Sequence, residues 1–552
     1  MGGSSSEPAH EDQATTANDA TATDGSDRMQ KIVSLCKRRG FVFQSSEIYG
    51  GLKSAYDYGP MGVELKRNII HEWWRAMVHS REDIVGLDAS IVMHPDVWRA
   101  SGHLASFSDP LVDCKVCGER FRADKAPRAE TGREAIITLA DKGKAKLALE
   151  KVSKTLGVEL TRDGKTLRGA HATDRGYVCS NCGSPFLSEE RQFNMMFRTN
   201  LGPVDPIGRA VEEVMALIER SPAPSAETAA ELKTLLARAV TDSAVYLRPE
   251  TAQAMFVNFM NIVQSNQMSV PFGIAQTGKS FRNEITVEHF IFRSCEFEQM
   301  EMEYFVPPGE GPKWMEYWKA ARVDWWKAIG LRSENLRLRA HEPDELAHYS
   351  DGCYDVEYKF PWGWDELEGI ASRTDYDLTA HTKGSGKKIS YFDPEATDPD
   401  TGKKGWRYVP HVVEPAAGAT RGMLAVLCDA FDDSEPAEEG KPQRVVLRLR
   451  PRIAPIKCAV LPLVKKDGMP EAGRKIVEEF LAAGINSSYD EQHAIGKRYA
   501  RHDEIGTPYC LTVDGQTKED GTVTIRDRDT RAQQRIPVKA ALEVVLDALR
   551  KG

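Results

Sequence analysis

The chain has 552 residues, 41% hydrophobic and 28% charged, with a formal net charge of −9 at pH 7. This length and apolar content suit about three or four globular domains, and no apolar run approaches the roughly 20 residues that span a bilayer, so no helical membrane protein is expected. Ten cysteines with no secretory leader read as reduced thiols or metal ligands rather than a disulfide framework, and the chain is expected to be cytoplasmic.

The first 27 residues, "MGGSSSEPAHEDQATTANDATATDGSD", hold six acidic residues and no Lys or Arg. Such a segment buries too little to offset its ordering entropy, so a disordered acidic tail is expected over 1–27. The tail supplies −6 of the charge and leaves −3 for the remainder, which neither excludes an RNA partner nor argues for one. Next come "CKVC" (Cys114, Cys117) and "CSNC" (Cys179, Cys182), each followed by glycine. Two such knuckles turn four sulfurs toward one point, the closed set of a structural zinc, with free thiols as the alternative. The pairs close an insertion of about 114–182, in which "ADKGKAKLALEKVSKTLGVEL" reads as a charged helix. Further helical insertions are expected near 205–240 and 307–365.

Three segments then place polar residues in strand-like apolar surroundings. "VYLRPETAQAMFVNF" sets Arg248 and Glu250 two apart before a helix beginning near Thr251. "FGIAQTGKSFRNEI" sets Arg282 and Glu284 two apart; on a strand they would share a face and offer a cation and an anion to one ligand, unless they form an ordinary surface pair. "VVEPAAGATRGMLAVLCDAF" reads as a strand, a small-residue turn holding Glu414 and Gly418, and an amphipathic helix opening at Arg421. From Ile453 onward strands alternate with helices ("IKCAVLPL", "GRKIVEEFLAAG", "GTPYCLTV"), as in a small α/β domain with a mixed sheet. That region holds 16 Lys and Arg against 15 Asp and Glu, so an RNA surface there would be a local patch. Arg526, Arg528 and Arg531 are its candidates, with an ion-pair ladder as the alternative.

The ordered segments resemble the class II aminoacyl-tRNA synthetases, and within them the dimeric type of glycyl-tRNA synthetase. Phe281-Arg282-Asn283-Glu284, a loop, then Arg293 and Phe297 are similar to motif 2. "GATRGMLAVLCDAF" is similar to motif 3, and "GVELKRNIIHEWWRAMV" with a strand ending at Pro95 to motif 1. "VWRASGH", "RPETAQ", "EFEQMEMEYF" and "GIASRTDYDL" extend the likeness from about residue 29 to the C-terminus. The resemblance implies an α+β fold, a class II antiparallel sheet flanked by helices over 28–452, followed by an anticodon-binding domain over 453–552. It implies attachment of glycine to tRNA(Gly) through a glycyl-adenylate, with ATP and Mg²⁺, in a homodimer that binds neither membrane nor DNA. By the same resemblance Arg282 grips the α-phosphate, Arg421 the γ-phosphate and Glu284 the adenine amino group. Phe297 stacks on adenine beside Arg293, with Asn283, Phe292, Leu367 and Gly418 lining the nucleotide and Glu366 or a neighbour holding Mg²⁺. Glu250, Glu301 and Glu414 surround the glycine ammonium, Arg99 faces its carboxylate, and Phe297, Glu298, Gln299 and Gly418 complete the pocket. Three acids in one site repel each other, and a bound ammonium relieves that repulsion. A pocket that excludes larger side chains by overlap needs no editing domain.

The family pattern has Ser and Asp where this chain has Ala416 and Thr420, and often Arg at Cys295. These departures leave a specialised paralogue of altered amino-acid specificity as one alternative, and a non-catalytic RNA- or partner-binding relative as another. Retention of Arg282 and Arg421 weighs against the second.

Overall fold

The computed structural model describes residues 13–551 apart from 53, 130–136, 139–160, 164–165, 169–174, 203–205, 221–224, 242–243, 286–288, 344, 347–349 and 436–442. Helix α1 runs over Gln13–Arg39 and ends in a left-handed Gly40, after which the Phe41 N–H returns to Cys36 O at 2.8 Å. That Schellman-type closure satisfies end carbonyls, and Lys37, Arg38 and Arg39 complement the helix dipole. Ile32, Leu35 and Cys36 anchor it in the main core, and Arg28 donates to Cys428 O and Phe431 O. Residues 13–27, expected to be disordered, continue this helix: once the anchored turns exist, each alanine-rich residue before them extends the helix at little cost.

Helix α2 (Pro60–Trp74) opens with proline at its first position and buries Leu65, Ile69 and Trp73 along one stripe. Short β1 (Ile84–Gly86) and α3 (Pro95–Ala100) follow, then the cysteine module, with β2 (Ser108–Asp113), β3 (Arg120–Arg122) and β4 (Arg191–Asn194) in one small sheet ordered β4-β2-β3. The "ADKGKAKLALEKVSKTLGVEL" helix lies outside the described residues. Helices α4 (Pro206–Arg220) and α5 (Ala226–Thr241) form the expected helical insertion, and β5 (Ala244–Leu247) leads into α6 (Ala252–Val257).

The largest sheet has seven strands. They are β1, β6 (Phe272–Phe281), β7 (Glu296–Val306), β8 (Leu336–Ala340), β9 (Gly352–Phe360), β10 (Gly363–Thr374) and β11 (His411–Gly418), ordered β8-β9-β10-β11-β7-β6-β1. All pairings are antiparallel except β6 with β1. Helices α2, α7 (Gly311–Ala328) and α9 (Ala419–Ala430) cover one face, where Tyr304, Trp318, Trp326, Val413 and Leu424 form the main core. On the other face α6 and α8 (Tyr376–Ser385) bury Phe256, Phe272, Phe305 and Leu378 at one end, and the rest of that face carries the site. Only 311–328 of the helical insertion expected near 307–365 is a long helix, because 336–340 and 352–360 are taken into the sheet as β8 and β9. The small-residue turn expected around Glu414 and Gly418 is also absent: β11 runs unbroken to Gly418 and passes directly into α9, since Ala416 and Ala417 pair with both flanking strands.

The C-terminal domain carries a mixed sheet of β12 (Cys458–Pro462), β13 (Ser487–Tyr489), β14 (Tyr509–Val513), β15 (Thr522–Asp527) and β16 (Gln533–Pro537), ordered β13-β12-β14-β15-β16. Helices α10 (Met469–Ala482) and α12 (Val538–Lys551) pack Phe480 and Val545 on one face, and Tyr499 of α11 (Ile495–Glu504) packs on the other.

Candidate active site

Alternation along β7 builds the floor of the site. Phe297, Gln299, Glu301 and Glu303 share the open face. Glu298 points to the helical face and pairs with Lys66 of α2, so it leaves the expected glycine set; period-two parity was the signal that excludes it. Glu301 accepts from the Thr251 N–H (3.0 Å), the Thr251 hydroxyl and Gln299 Nε2 (3.1 Å). Glu250, at the turn from β5 to α6, accepts from Gln253 Nε2 (3.0 Å) and lies 3.5 Å from His103 Nε2. Arg373 of β10 is the buried cation among them. It donates to both Glu414 oxygens (2.8 and 3.0 Å) and to Asp377 (2.7 and 3.2 Å), and stands 3.7 Å from Glu250.

Five buried carboxylates, Glu250, Glu301, Glu303, Glu414 and Asp377, thus meet one buried guanidinium. Burial works against the charged form of Glu250, but His103 and Arg373 outweigh it and hold the carboxyl well below the usual range. Burial pushes Glu414 up to about 8, with Arg373 pulling it down and Glu301 and Glu250 adding to the rise. Burial and the Glu250 charge raise Glu301. Burial and the Glu414 charge raise Glu303 well above the ordinary value, and neither Glu303 oxygen has a hydrogen-bond partner among the described residues. The pocket holds more negative charge than it can neutralise itself.

The neighbouring sector has the opposite sign. Arg282 lies just past the end of β6, donates Nε to Pro249 O (3.0 Å), and sits between the rings of Phe107 and Phe297 at 5.5 and 5.4 Å. Its own N–H donates to Cys295 O, and that of Asn283 to Met195 O. Arg282 and Glu284 do not share a strand face as expected, because β6 stops at Phe281 and a tight turn returns the Glu284 N–H to Arg282 O. Arg421, in the first turn of α9, stacks over Phe292 (4.4 Å) and reaches Glu366 Oε2 at 3.1 Å. Arg421 first, with Arg282 and Arg293 behind it, holds the Glu366 carboxyl below the usual range. Leu367 is the extra residue of a bulge between β9 and β10, and its side chain is buried in the main core, so it offers a ligand backbone only. Gly418 stands opposite Gln299, and a Cβ there would come within 3.3 Å of Arg421 Cβ.

Arg99 stands away from this pocket, exposed on α3 and paired with Asp96. His103, four residues on in "WRASGH", reaches Glu250 instead. Phe107, His103, Asp377 and Arg373 were missed as site residues; the last two lie in "SRTDYDL", and only the cross-strand pairing of Ala371 with Glu414 reveals their place. Of the departures, Ala416 faces the pocket opposite Glu301, Thr420 turns away to hydrogen-bond Tyr58, and Cys295 Sγ lies 3.0 Å from Ser54 Oγ.

The four cysteines do converge. Cys114 and Cys182 sulfurs are 3.7 Å apart, as are those of Cys117 and Cys179, and all four lie within 4.8 Å of one another. Left-handed Gly118 and Gly183 close two equivalent knuckles, with N–H groups of Cys117 and Asn181 directed at Cys114 and Cys179 sulfurs. Among the C-terminal arginines, Arg526 is buried in a two-bond pair with Asp503 of α11 and packs over Tyr499, and Arg528 is buried between Gly506 O and Asp529. Neither is available to RNA, because alternate residues of β15 and its turn face α11. Arg531 is exposed and pairs with Glu435.

The seven-stranded sheet, the arginine at the end of β6 and the arginine opening α9 are those of a class II aminoacyl-tRNA synthetase. Residues 457–548 match the family model described as an anticodon binding domain. The chain is 46% identical to glycine–tRNA ligase of Treponema denticola over 92% of this chain and 94% of that protein. It is 44% identical to the enzyme of that name from Streptomyces coelicolor (92% and 96%) and 45% identical to that from Geobacillus thermodenitrificans (94% and 97%). The chain belongs to the glycine–tRNA ligase family.

Proposed function

We propose that the chain attaches glycine to tRNA(Gly) with ATP, through a glycyl-adenylate. The observation that carries the reading is the division of one sheet face into an acid-rich pocket at Glu250, Glu301 and Glu414 and a cationic sector at Arg282, Arg293 and Arg421. The pocket takes the ammonium, a cation that relieves the repulsion among the acids. The cationic sector takes the phosphates, which guanidinium groups grip bidentately. Between them the glycine carboxylate attacks the α-phosphorus and pyrophosphate leaves; the terminal ribose hydroxyl of tRNA then takes the glycyl group and AMP departs. No enzyme nucleophile is required, and alignment with electrostatic stabilisation supplies the rate.

Glu366, half-exposed and kept ionised by Arg421, suits Mg²⁺ in the chemistry of its oxygens. A bound Mg²⁺ would offset charge on the phosphates. The four sulfurs fit a closed structural zinc site, with no position left open for a substrate. For homodimerisation the support is a loop beside α2 that exposes Ile48 (89%), Tyr49 (87%) and Leu52 (61%), apolar surface of the kind a second copy would cover. The reading is tested by pyrophosphate exchange into ATP without tRNA. Glycine, but neither alanine nor serine, should support it, and Arg282→Ala should lower it by about 10²–10³-fold. Exchange with alanine or serine would favour a specialised paralogue.

A further inference from the structure

Beyond both the pocket and the four-cysteine cluster, His341, Cys353 and Asp355 bring a nitrogen, a sulfur and an oxygen donor within 4.8 Å of one another. They stand at the end of the β8–β9 pair: His341 follows β8 directly, and Cys353 and Asp355 alternate on one face of β9. The backbone fixes the arrangement, since the His341 N–H donates to Cys353 O at 2.9 Å, next to the pairing of Ala340 with Tyr354. His341 Nε2 lies 2.8 Å from Asp355 Oδ2, so the ring already directs a nitrogen at the centre of the group. The Asp355 side chain is 8% exposed, and the same Oδ2 also accepts from Arg339 Nη2 at 3.3 Å, while Arg339 is itself engaged by Glu345 and Glu357. Cys353 is a free, half-buried thiol, with the carboxylates of Glu366 and Glu414 among the charges acting on it.

We propose that His341, Cys353 and Asp355 form a second zinc-class site, distinct from the closed four-cysteine cluster. An imidazole, a thiolate and a carboxylate are the donors that Zn²⁺ accepts, and three of them leave one coordination position open. A thiolate and a carboxylate carry the charge that balances a divalent cation, and the surrounding Glu357 and Glu366 offset Arg339. The ion ties the end of β8 to the start of β9. Cys353 pairs with Ala371, which pairs with Glu414, so the site lies two strands, ~10 Å, from the pocket on the same face.

The test is zinc content of the full chain after equilibration with Zn²⁺ and removal of free metal. Wild type should hold about two ions per chain, and Cys353→Ala, His341→Gln and Asp355→Asn about one. Cys114→Ser should lose the other ion and keep this one. With Co²⁺ as the probe, the thiolate charge-transfer band of the Cys114→Ser protein should vanish on adding Cys353→Ala. His341→Gln, a conservative change at a partly exposed ring, serves if the cysteine variant does not fold. A wild-type content of about one ion that Cys114→Ser abolishes, or two ions retained in both His341→Gln and Cys353→Ala, overturns the proposal.

Discussion

The buried charges of the C-terminal domain and those of the acid-rich pocket are built to opposite sums. In the C-terminal domain Asp503 takes Arg526 and Arg444, and Arg528 takes Asp529, so each member of this network has its counter-charge. On the main sheet, Arg373 is the one cation that pairs with Glu414, Asp377 and Glu250 together among the described residues, with His103 adding to Glu250, against five buried carboxylates that include Glu301 and Glu303. Both networks are costly to desolvate. The balanced one ties α11 to β15, whereas the unbalanced one is incomplete until a cation enters. Arginine-rich sequence therefore marks structure in one place, and glutamate-rich sequence marks binding in the other.

The largest effect that would break this comparison is on stability. Asp503→Ala leaves the buried Arg526 guanidinium without its counter-charge, while Arg444 keeps Glu435, and should cost about 3–5 kcal/mol by denaturant unfolding. Glycine activation should be spared in the protein that remains folded. A loss below ~1 kcal/mol would show that the C-terminal network is solvated rather than structural.

Next in size is the pH dependence. Glu414 is raised from 4.5 to about 8, so near neutrality it is substantially protonated, and it must ionise to hold an ammonium. Glycine affinity should therefore rise with pH between about 6 and 8, by at most about tenfold per unit. The sign for folding is the reverse: the stability that goes with a raised carboxyl is present below its unfolded value and is lost as pH rises through 8. Melting temperature of the free protein should fall across that window, and glycine should restore it. A glycine KM that is flat or rises over the same range contradicts the surplus of acid.

The smallest expected effect is at Glu303. Burial and the Glu414 charge favour the neutral form of Glu303, so Glu303→Gln should change stability by less than ~1 kcal/mol while Glu303→Ala opens a cavity and costs more. Equal losses in the two variants would mean that Glu303 is held ionised.

Much of this was legible before any coordinates. The segments "RPETAQ", "FRNEIT", "EFEQME" and "VVEPAAGATRGM" carry Glu250, Arg282, Glu301, Glu414 and Arg421, which the structure brings to one sheet face, and the C-x-x-C spacing anticipates the convergence of four sulfurs. The likeness also put Glu298 in the glycine set, although period-two parity with Phe297 and Gln299 sends it to the opposite face, where it meets Lys66. What sequence spacing does not carry is which strand lies beside which: Arg373 enters the pocket only because β10 pairs with β11. Burial was equally silent for Arg526 and Arg528, whose spacing fits an RNA-facing edge as well as a face packed on α11. The bulge at Leu367 and the short helix that turns Arg99 outward follow from backbone geometry that these residue types do not signal.

The most direct measurement is the glycine KM in pyrophosphate exchange for Glu301→Gln, a change that keeps shape and removes one buried negative charge. A loss of one charge-assisted contact is worth about 1.5–3 kcal/mol, so KM should rise by about 10–150-fold with kcat changed much less. A KM equal to that of the unsubstituted chain would contradict an acid pocket built for the ammonium.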